Sequence, residues 1–334
     1  MTHPSSSPVS IVTGGAGFIA VNLIGRLLDA GHAVLAADNL CRGRRDYLEP
    51  FASHPALRFV EADLSDRAQC ARAFAAASEL GRPTEVWHLA ANSDIPAGGA
   101  DPDIDLKDTF LTTFEILRAM RDGSVGTLHF ASSSAVYGDH GDAELHESIG
   151  PLLPISNYGA MKLASEAQAG AAAESFLERV NLFRFPNVVG VPATHGVLLD
   201  FVRKLKRTPG SLDVLGDGTQ QKAYLHVSDL VDAMLHVRAT KPQGKVLPIN
   251  IGPIDAGVHV RWIAEQVIAR VAPSATIRYG LGNKGWVGDV PRFRYSTQAI
   301  ADLGWKPSLD SSGAVTRAID EIARQEGIPE GGLA

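Results

Sequence analysis

Two cysteines in 334 residues, Cys41 and Cys70, are too few to staple a fold. Both fall in segments with other uses, so free thiols in a reducing cytoplasm are the expectation. No apolar run approaches membrane-spanning length. Residues 1–8 (MTHPSSSP) carry no charged start followed by an apolar core and read as a frayed tail rather than a signal peptide. Basic clusters are missing as well. With 31 Lys+Arg against 37 Asp+Glu the net charge is −6, which discourages nucleic acid and anionic membrane as partners. There is no internal repeat, and no metal site is expected. What remains is ordinary globular composition, 45% hydrophobic and 20% charged, in a chain long enough for one large domain or two modest ones.

The chain is organised around Val9–Ala20 (VSIVTGGAGFIA): an apolar strand, a glycine-rich turn and the start of a helix. Gly14 permits the tight turn out of the strand. Gly17 lets backbone amides approach a pyrophosphate, and the helix presents its positive end to that anion. A carboxylate about twenty residues further on, at the end of a second strand, would grip a ribose hydroxyl. Asp38 closes the run His32–Asp38 (HAVLAAD) and meets that requirement. Its charge disfavours a 2′-phosphate, which points to NAD over NADP, although Arg42, Arg44 and Arg45 soften the preference. Ala20 occupies the third small position, which serves helix–strand packing.

Strand and helix patterns then alternate. Leu57–Asp63 reads as a third strand. Asp66–Leu80 reads as a helix with Ala71, Phe74, Ala75 and Ser78 at helical spacing. Thr84–Ala91 is a nearly apolar fourth strand, Leu106–Met120 a long helix and Thr127–Ser133 a fifth strand. This order predicts an α/β fold with a doubly wound parallel sheet, and ligands beyond the carboxyl ends of its strands.

Two segments hold reactive groups. Phe130–Gly138 (FASSSAVYG) ends the fifth strand in three serines, and Ser156–Glu166 (SNYGAMKLASE) starts a helix. Tyr158 and Lys162, four apart, share a helix face. An ammonium beside a phenol favours phenolate and lowers its pKa from near 10, so that it can take a proton from a hydroxyl while hydride leaves the carbon. A serine on the fifth strand can hydrogen-bond the same oxygen.

Together with Asp63-Leu64, His88–Ala91 (HLAA), Arg184–Gly190 (RFPNVVG), Leu215–Asp229 (LGDGTQQKAYLHVSD), Gly288–Val290 (GDV) and Leu303–Pro307 (LGWKP), these motifs resemble the extended short-chain dehydrogenase/reductases. More narrowly they are similar to the nucleotide-sugar epimerase/dehydratase branch, over nearly the whole chain. The resemblance implies a Rossmann domain, bound NAD and a smaller C-terminal substrate lobe. It makes Ser133, Tyr158 and Lys162 catalytic. It assigns cofactor contacts to Gly14, Gly17, Phe18, Ile19, Asp38, Asn39, Asp63, Leu64, Leu89, Ala90, Ala91, Tyr158, Lys162 and Phe185. It places substrate beside Ser93, Ser133, Asn187, Val197, Leu198, Leu215, Lys222, Tyr224 and Asp289. The expected division is 1–182 plus about 222–240 for the NAD domain, and about 183–221 plus 241–334 for the lobe, with Leu225–Asp229 and its following helix returning to the sheet.

Within that branch, dehydratases place Asp-Glu after the catalytic Ser/Thr and UDP-glucuronate decarboxylases a glutamate. Here Ser134 and Ala135 stand there, and neither can move a proton of that kind. The expected reaction is therefore reversible oxidation at C4 of a UDP-glucose/galactose-type nucleotide sugar. The alternatives are a UDP-glucuronate 4-epimerase, another 4-epimerase or 4-ketoreductase, and a non-catalytic NAD-binding regulator. Lys222 and Trp286 stand where relatives usually carry arginine, so the diphosphate is gripped differently, with Lys284 or Arg292 available to help, or the substrate is not an ordinary UDP-hexose. The resemblance also implies a cytoplasmic homodimer joined through helices, with the alanine-rich stretch 164–173 allowing close approach.

Overall fold

The computed structural model describes residues 7–141, 143–241, 244–282 and 294–333. In chain order the first elements are β1 (Val9–Thr13), α1 (Phe18–Asp29), β2 (Ala33–Asp38), β3 (Leu57–Glu61), α2 (Arg67–Ser78), β4 (Pro83–His88), α3 (Ile95–Ala100) and α4 (Pro102–Asp105). A wide π-type turn over Leu106–Leu111 leads into α5 (Thr112–Asp122). There follow β5 (Thr127–Ala131), β6 (Glu144–Leu145), α6 (Asn157–Ser175), β7 (Arg179–Arg184), β8 (Asn187–Val189), α7 (Val197–Arg207), β9 (Ser211–Val214), β10 (Gln221–Lys222) and β11 (Tyr224–His226). The chain continues with α8 (Val227–Ala239), β12 (Val246–Asn250), β13 (Val258–His259), α9 (Val260–Val271), β14 (Thr276–Tyr279), β15 (Arg294–Tyr295), α10 (Gln298–Asp302) and α11 (Ser311–Gln325).

Seven strands form the main sheet in the order β12-β7-β5-β4-β1-β2-β3, and the pairs from β7 to β3 run parallel. The chain leaves β1 first toward β2 and β3, then crosses back to β4, β5 and β7. The switch lies between β1 and β4, where such sheets open a crevice at their carboxyl ends. All five residues of β1 and all six of β2 are buried, which is why these strands read as largely apolar, with Ser10 and Thr13 as buried polar exceptions in β1. Ala20 is buried at the strand-facing side of α1, in the packing role its small size suits. On α2 the inward residues are Cys70, Ala73, Phe74 and Ala77, whereas Ala71, Ala75 and Ser78 are exposed. The expected face was a residue out of phase because alanine is equally at home on either side.

The chain divides into two compact units. The first comprises residues 1–136, 153–184 and 241–249, and the second 137–152, 185–240 and 250–334. Leu225–Asp229 does not return to the main sheet: β11 pairs in parallel with β8. The seventh strand is β12, which adds to the edge beside β7 and draws 241–249 into the first unit. Val246–Asn250 (VLPIN) is a short run with a proline inside, which local pattern does not mark as a strand, and its tertiary partner decides. In the second unit α7, α9 and α11 pack around β9 and β11 with a core that includes Val202, Leu212, Val267, Val315 and Ile319.

Candidate active site

The glycine turn fits a dinucleotide. Gly14 has φ +65°, and a Cβ there would lie 2.9 Å from the Ala90 amide nitrogen. Gly17 caps α1 with no side-chain acceptor on the helix amides and no acidic residue in the first turn, so the positive helix end is left for an anion. Phe18 and Ile19 begin that helix. Beside the turn, the Leu89 and Ala90 amides donate to Thr13 Oγ1 at 3.1 and 3.2 Å, which ties the end of β4 to the end of β1.

Asp38 closes β2 and is 7% exposed. Its carboxylate accepts from the Ala16 amide at 3.0 Å and the Leu40 amide at 2.7 Å. Burial pushes its carboxyl up and these two donors pull it back. A carboxylate has about four acceptor positions, so two remain for ribose hydroxyls. Asn39 turns its side-chain oxygen to the Cys41 amide at 3.1 Å. Asp63 accepts from the Ser65 amide and hydroxyl and pairs with Lys107 at 2.9 Å, and Leu64 beside it is buried.

Ser133, Tyr158 and Lys162 meet in the first unit. Ser156 caps α6 by accepting from the Gly159 amide at 3.1 Å. Gly159 lets that first turn approach the end of β5: a Cβ there would fall 2.5 Å from the Ala135 carbonyl oxygen. Tyr158 is thereby brought within hydrogen-bond reach of Ser133, whose Oγ also accepts from the Ala135 amide at 3.2 Å. One turn on, Lys162 is 1% exposed and donates to the Ala131 carbonyl at 2.7 Å. Its Nζ lies 4.7 Å from the Phe130 ring centre.

The electrostatics differ from the expected lowered phenol. Burial pushes Tyr158 up to about 12, with the Ser133 hydrogen bond opposing and the charge of Asp105 adding to the rise. Burial brings Lys162 down to about 7, against the pull of Glu166 and Asp105. A lysine that has lost much of its charge to desolvation cannot acidify its neighbour as a fully charged one would.

Several buried pairings escaped the sequence reading, although His88, Glu166 and Arg184 lie within its motifs, and Asn92, expected with Ser93 and Asp94 to line a sugar pocket, is buried. Glu166 forms a buried two-pronged pair with Arg184, at 2.9 and 2.6 Å, and accepts from Ser132. His88 is fully buried between Thr13 Oγ1 at 2.8 Å and Thr113 Oγ1 at 2.9 Å, and desolvation holds it well below the usual imidazole range. Asn92 and Asp105 form a further buried pair at 2.8 Å. Periodicity marks none of these, because a polar residue among apolar ones looks alike whether it is solvated or paired.

Of the other predicted contacts, Ser93 is exposed and Ala91 half-buried in the first unit, and Phe185 follows β7 directly. In the second unit Asn187 is exposed with its Nδ2 donating to the Ala223 carbonyl at 3.3 Å. Val197 starts α7 and is half-buried, while Leu198 is in that unit's core. Leu215 is 70% exposed. Lys222 lies on β10 opposite Val258, and the Tyr224 amide donates to Ser311 Oγ at 3.2 Å. Asp289, with Lys284, Trp286, Gly288 and Arg292, lies outside the described residues.

The model of the NAD-dependent epimerase/dehydratase family matches residues 10–252, which span the glycine turn, Asp38 and the Ser133–Tyr158–Lys162 group. The chain belongs to that family. A UDP-glucose 4-epimerase of Azospirillum brasilense is 28% identical, over 98% of this chain and 97% of its own. A crystal structure of a UDP-galactose 4-epimerase is similar with a TM-score of 0.81 and 33% identity, over 95% of this chain and 99% of that one. A dTDP-glucose 4,6-dehydratase from Streptomyces venezuelae, solved with NAD bound, has a TM-score of 0.81 at 27% identity, covering 95% and 97%. Epimerases and dehydratases thus share this fold and the family's cofactor, NAD, whose requirements the glycine turn and Asp38 fit. Among the described residues no helix is long and apolar enough to cross a membrane, and no cluster of histidine, cysteine and acidic side chains could hold a metal.

Proposed function

We propose that the chain is an NAD-dependent 4-epimerase of a nucleotide-diphosphate sugar of the UDP-glucose/galactose type. The observation that carries this is the pair after Ser133. Ser134 is buried in a short 3-10 turn and Ala135 has no ionisable group, so neither can supply the acid and base needed to eliminate water across C5–C6. The buried carboxyl of Asp105 offers no substitute, because it has no exposed surface with which to reach a sugar.

In this reading Tyr158 takes the proton of the C4 hydroxyl as hydride leaves C4, and Ser133 holds the same oxygen in place. When bound, NAD⁺ supplies a hydride acceptor and a fixed positive charge. Lys162 keeps a proton close to the phenol. The 4-keto sugar then turns over, hydride returns to the opposite face of C4, and Tyr158 gives its proton back to the new alkoxide. The enzyme's net redox change is zero. Asn187, Leu215, Lys222 and Tyr224 of the second unit are the nucleotide and diphosphate contacts in this reading. Lys222 acts there as a point charge in place of a two-pronged arginine.

The same reading makes the enzyme a cytoplasmic homodimer. Cys41 and Cys70 are free thiols. Leu106, Leu111 and Phe114 stay 38–43% exposed along the π-type turn and α5, where a second copy would cover them.

The test is to offer the purified enzyme UDP-glucose, UDP-galactose, their N-acetylated forms and UDP-glucuronate, and to follow the anomeric proton by NMR. Conversion of one member of a C4 pair into the other supports the reading. A 4-keto-6-deoxy product, or release of NADH with each turnover, contradicts it.

A further inference from the structure

Asp105 ends α4, immediately before the π-type turn, and is completely buried. Oδ1 accepts from Asn92 Nδ2 at 2.8 Å, and Oδ2 has no hydrogen-bond partner among the described residues. A buried carboxylate oxygen without a donor is costly, and such groups persist where their charge has a use. Asn92 is fixed in turn: its amide donates to Thr109 Oγ1 at 3.2 Å and its Nδ2 also reaches the Asp94 carbonyl at 3.0 Å.

Oδ2 is packed onto α3. A Cβ on Gly98 would fall 1.9 Å from it, so only glycine admits the carboxylate at that point. The Gly98 carbonyl accepts from Asn157 Nδ2 at 2.8 Å, and Asn157 is the residue before Tyr158. One short path of contacts therefore runs from the carboxylate, through a single backbone unit, to the first turn of α6. A break from regular α-helix next to Asp105 matches the way π-type turns gather at functional sites.

We propose that Asp105 is a positioning residue, a buried counter-charge that governs how tightly the Tyr158–Lys162 pair holds its proton without itself touching the substrate. The inference rests on the reading of Tyr158 as the base. The charged groups that face Asp105 are Lys162 from α6 and Asp108 from the π-type turn, with the polar Asn92 from the loop after β4. The negative charge of Asp105 raises both Tyr158 and Lys162. In an interior of low dielectric such a charge is weakly screened. It favours the charged form of the buried lysine against desolvation, and it favours the protonated phenol.

The test uses the NAD-loaded enzyme carrying Asp105→Asn, which keeps an oxygen acceptor for Asn92 and removes the charge. Ionisation of Tyr158 is followed by tyrosinate absorbance near 295 nm as a difference against Tyr158→Phe. The expected result is a Tyr158 midpoint about 1 unit lower than in the wild type. The acid limb of the kcat profile moves the same way, with KM within about twofold. Asp105→Ser, smaller against Gly98, gives the same shift and serves if the asparagine variant does not fold. An unchanged or raised midpoint in a folded variant overturns the inference, even where melting temperature falls, because a purely structural role lowers stability and leaves the titration alone. A lowered midpoint in an enzyme that epimerises no nucleotide sugar keeps the inference and sinks the epimerase reading.

Discussion

Lys162 Nζ lies 5.9 Å from the centre of the Tyr158 ring. The two side chains share one face of α6, and the lysine donates its hydrogen bond to the Ala131 carbonyl. In the proposed mechanism Lys162 therefore acts on the phenol through space, as a charge and a nearby store of a proton. How much charge it carries depends on pH, since burial has brought it to about 7.

Tyr158→Phe removes the proton carrier and leaves the ring. Turnover should fall by about 10²–10⁴, the usual contribution of a placed acid–base group. NAD content after purification should be unchanged, because the glycine turn and Asp38 remain intact. Chromatography of released cofactor together with initial rates checks both halves.

Lys162→Met tests the buried lysine through stability. A lysine lowered from 10.5 to about 7 on folding binds fewer protons when folded than when unfolded across that window. Stability contributed by this site therefore rises with pH between those values. Compared with Lys162→Met, the wild type should gain on the order of 1 kcal/mol per pH unit from pH 7.5 to 9.5 in urea unfolding of NAD-free protein. Parallel stability curves for the two proteins would show that the lysine keeps its ordinary proton affinity.

Glu85 tests a buried polar cluster inside the sheet. Its Oε1 accepts from Ser10 Oγ at 2.7 Å and Trp87 Nε1 at 3.1 Å, and Oε2 lies 3.3 Å from His129 Nε2. Glu85→Ala strands those partners in the core and should cost about 3 kcal/mol or more, read as a drop in the urea midpoint. Catalytic pH dependence should not move, since the cluster belongs to the middle of β1, β4 and β5 and not to their carboxyl ends.

Gly14→Ala places a methyl group against the Ala90 amide at a backbone angle that L-residues avoid. Strain of about 1–2 kcal/mol is expected, together with loss of copurified NAD. A variant that keeps stoichiometric NAD would argue against the dinucleotide lying on this turn.

The Rossmann half was legible because parallel strands covered on both faces leave largely apolar segments, as in β1 and β2, and because the glycine turn and Asp38 obey a fixed spacing. The convergence of Ser133, Tyr158 and Lys162 was legible for the same reason, their places being tied to the end of β5 and the first turn of α6. The seventh strand was not, since Val246–Asn250 is short and interrupted by Pro248, and only its place beside β7 makes it part of the sheet. Asp105 was hidden for a related reason. In Asp101–Asp108 (DPDIDLKD) it looks like one more solvated acid at a helix start, and only the missing Cβ of Gly98 makes room for it inside. The raised phenol was hidden too, because spacing reports that Lys162 is near Tyr158 but not that both are desolvated.

The most direct test of hydride removal and return at C4 uses UDP-glucose deuterated at C4, with the product read by NMR in ordinary water. The account predicts UDP-galactose that retains the deuterium at C4, with none lost to solvent. Loss of the label to water, or its appearance at C6 of a 4-keto-6-deoxy sugar, would contradict it.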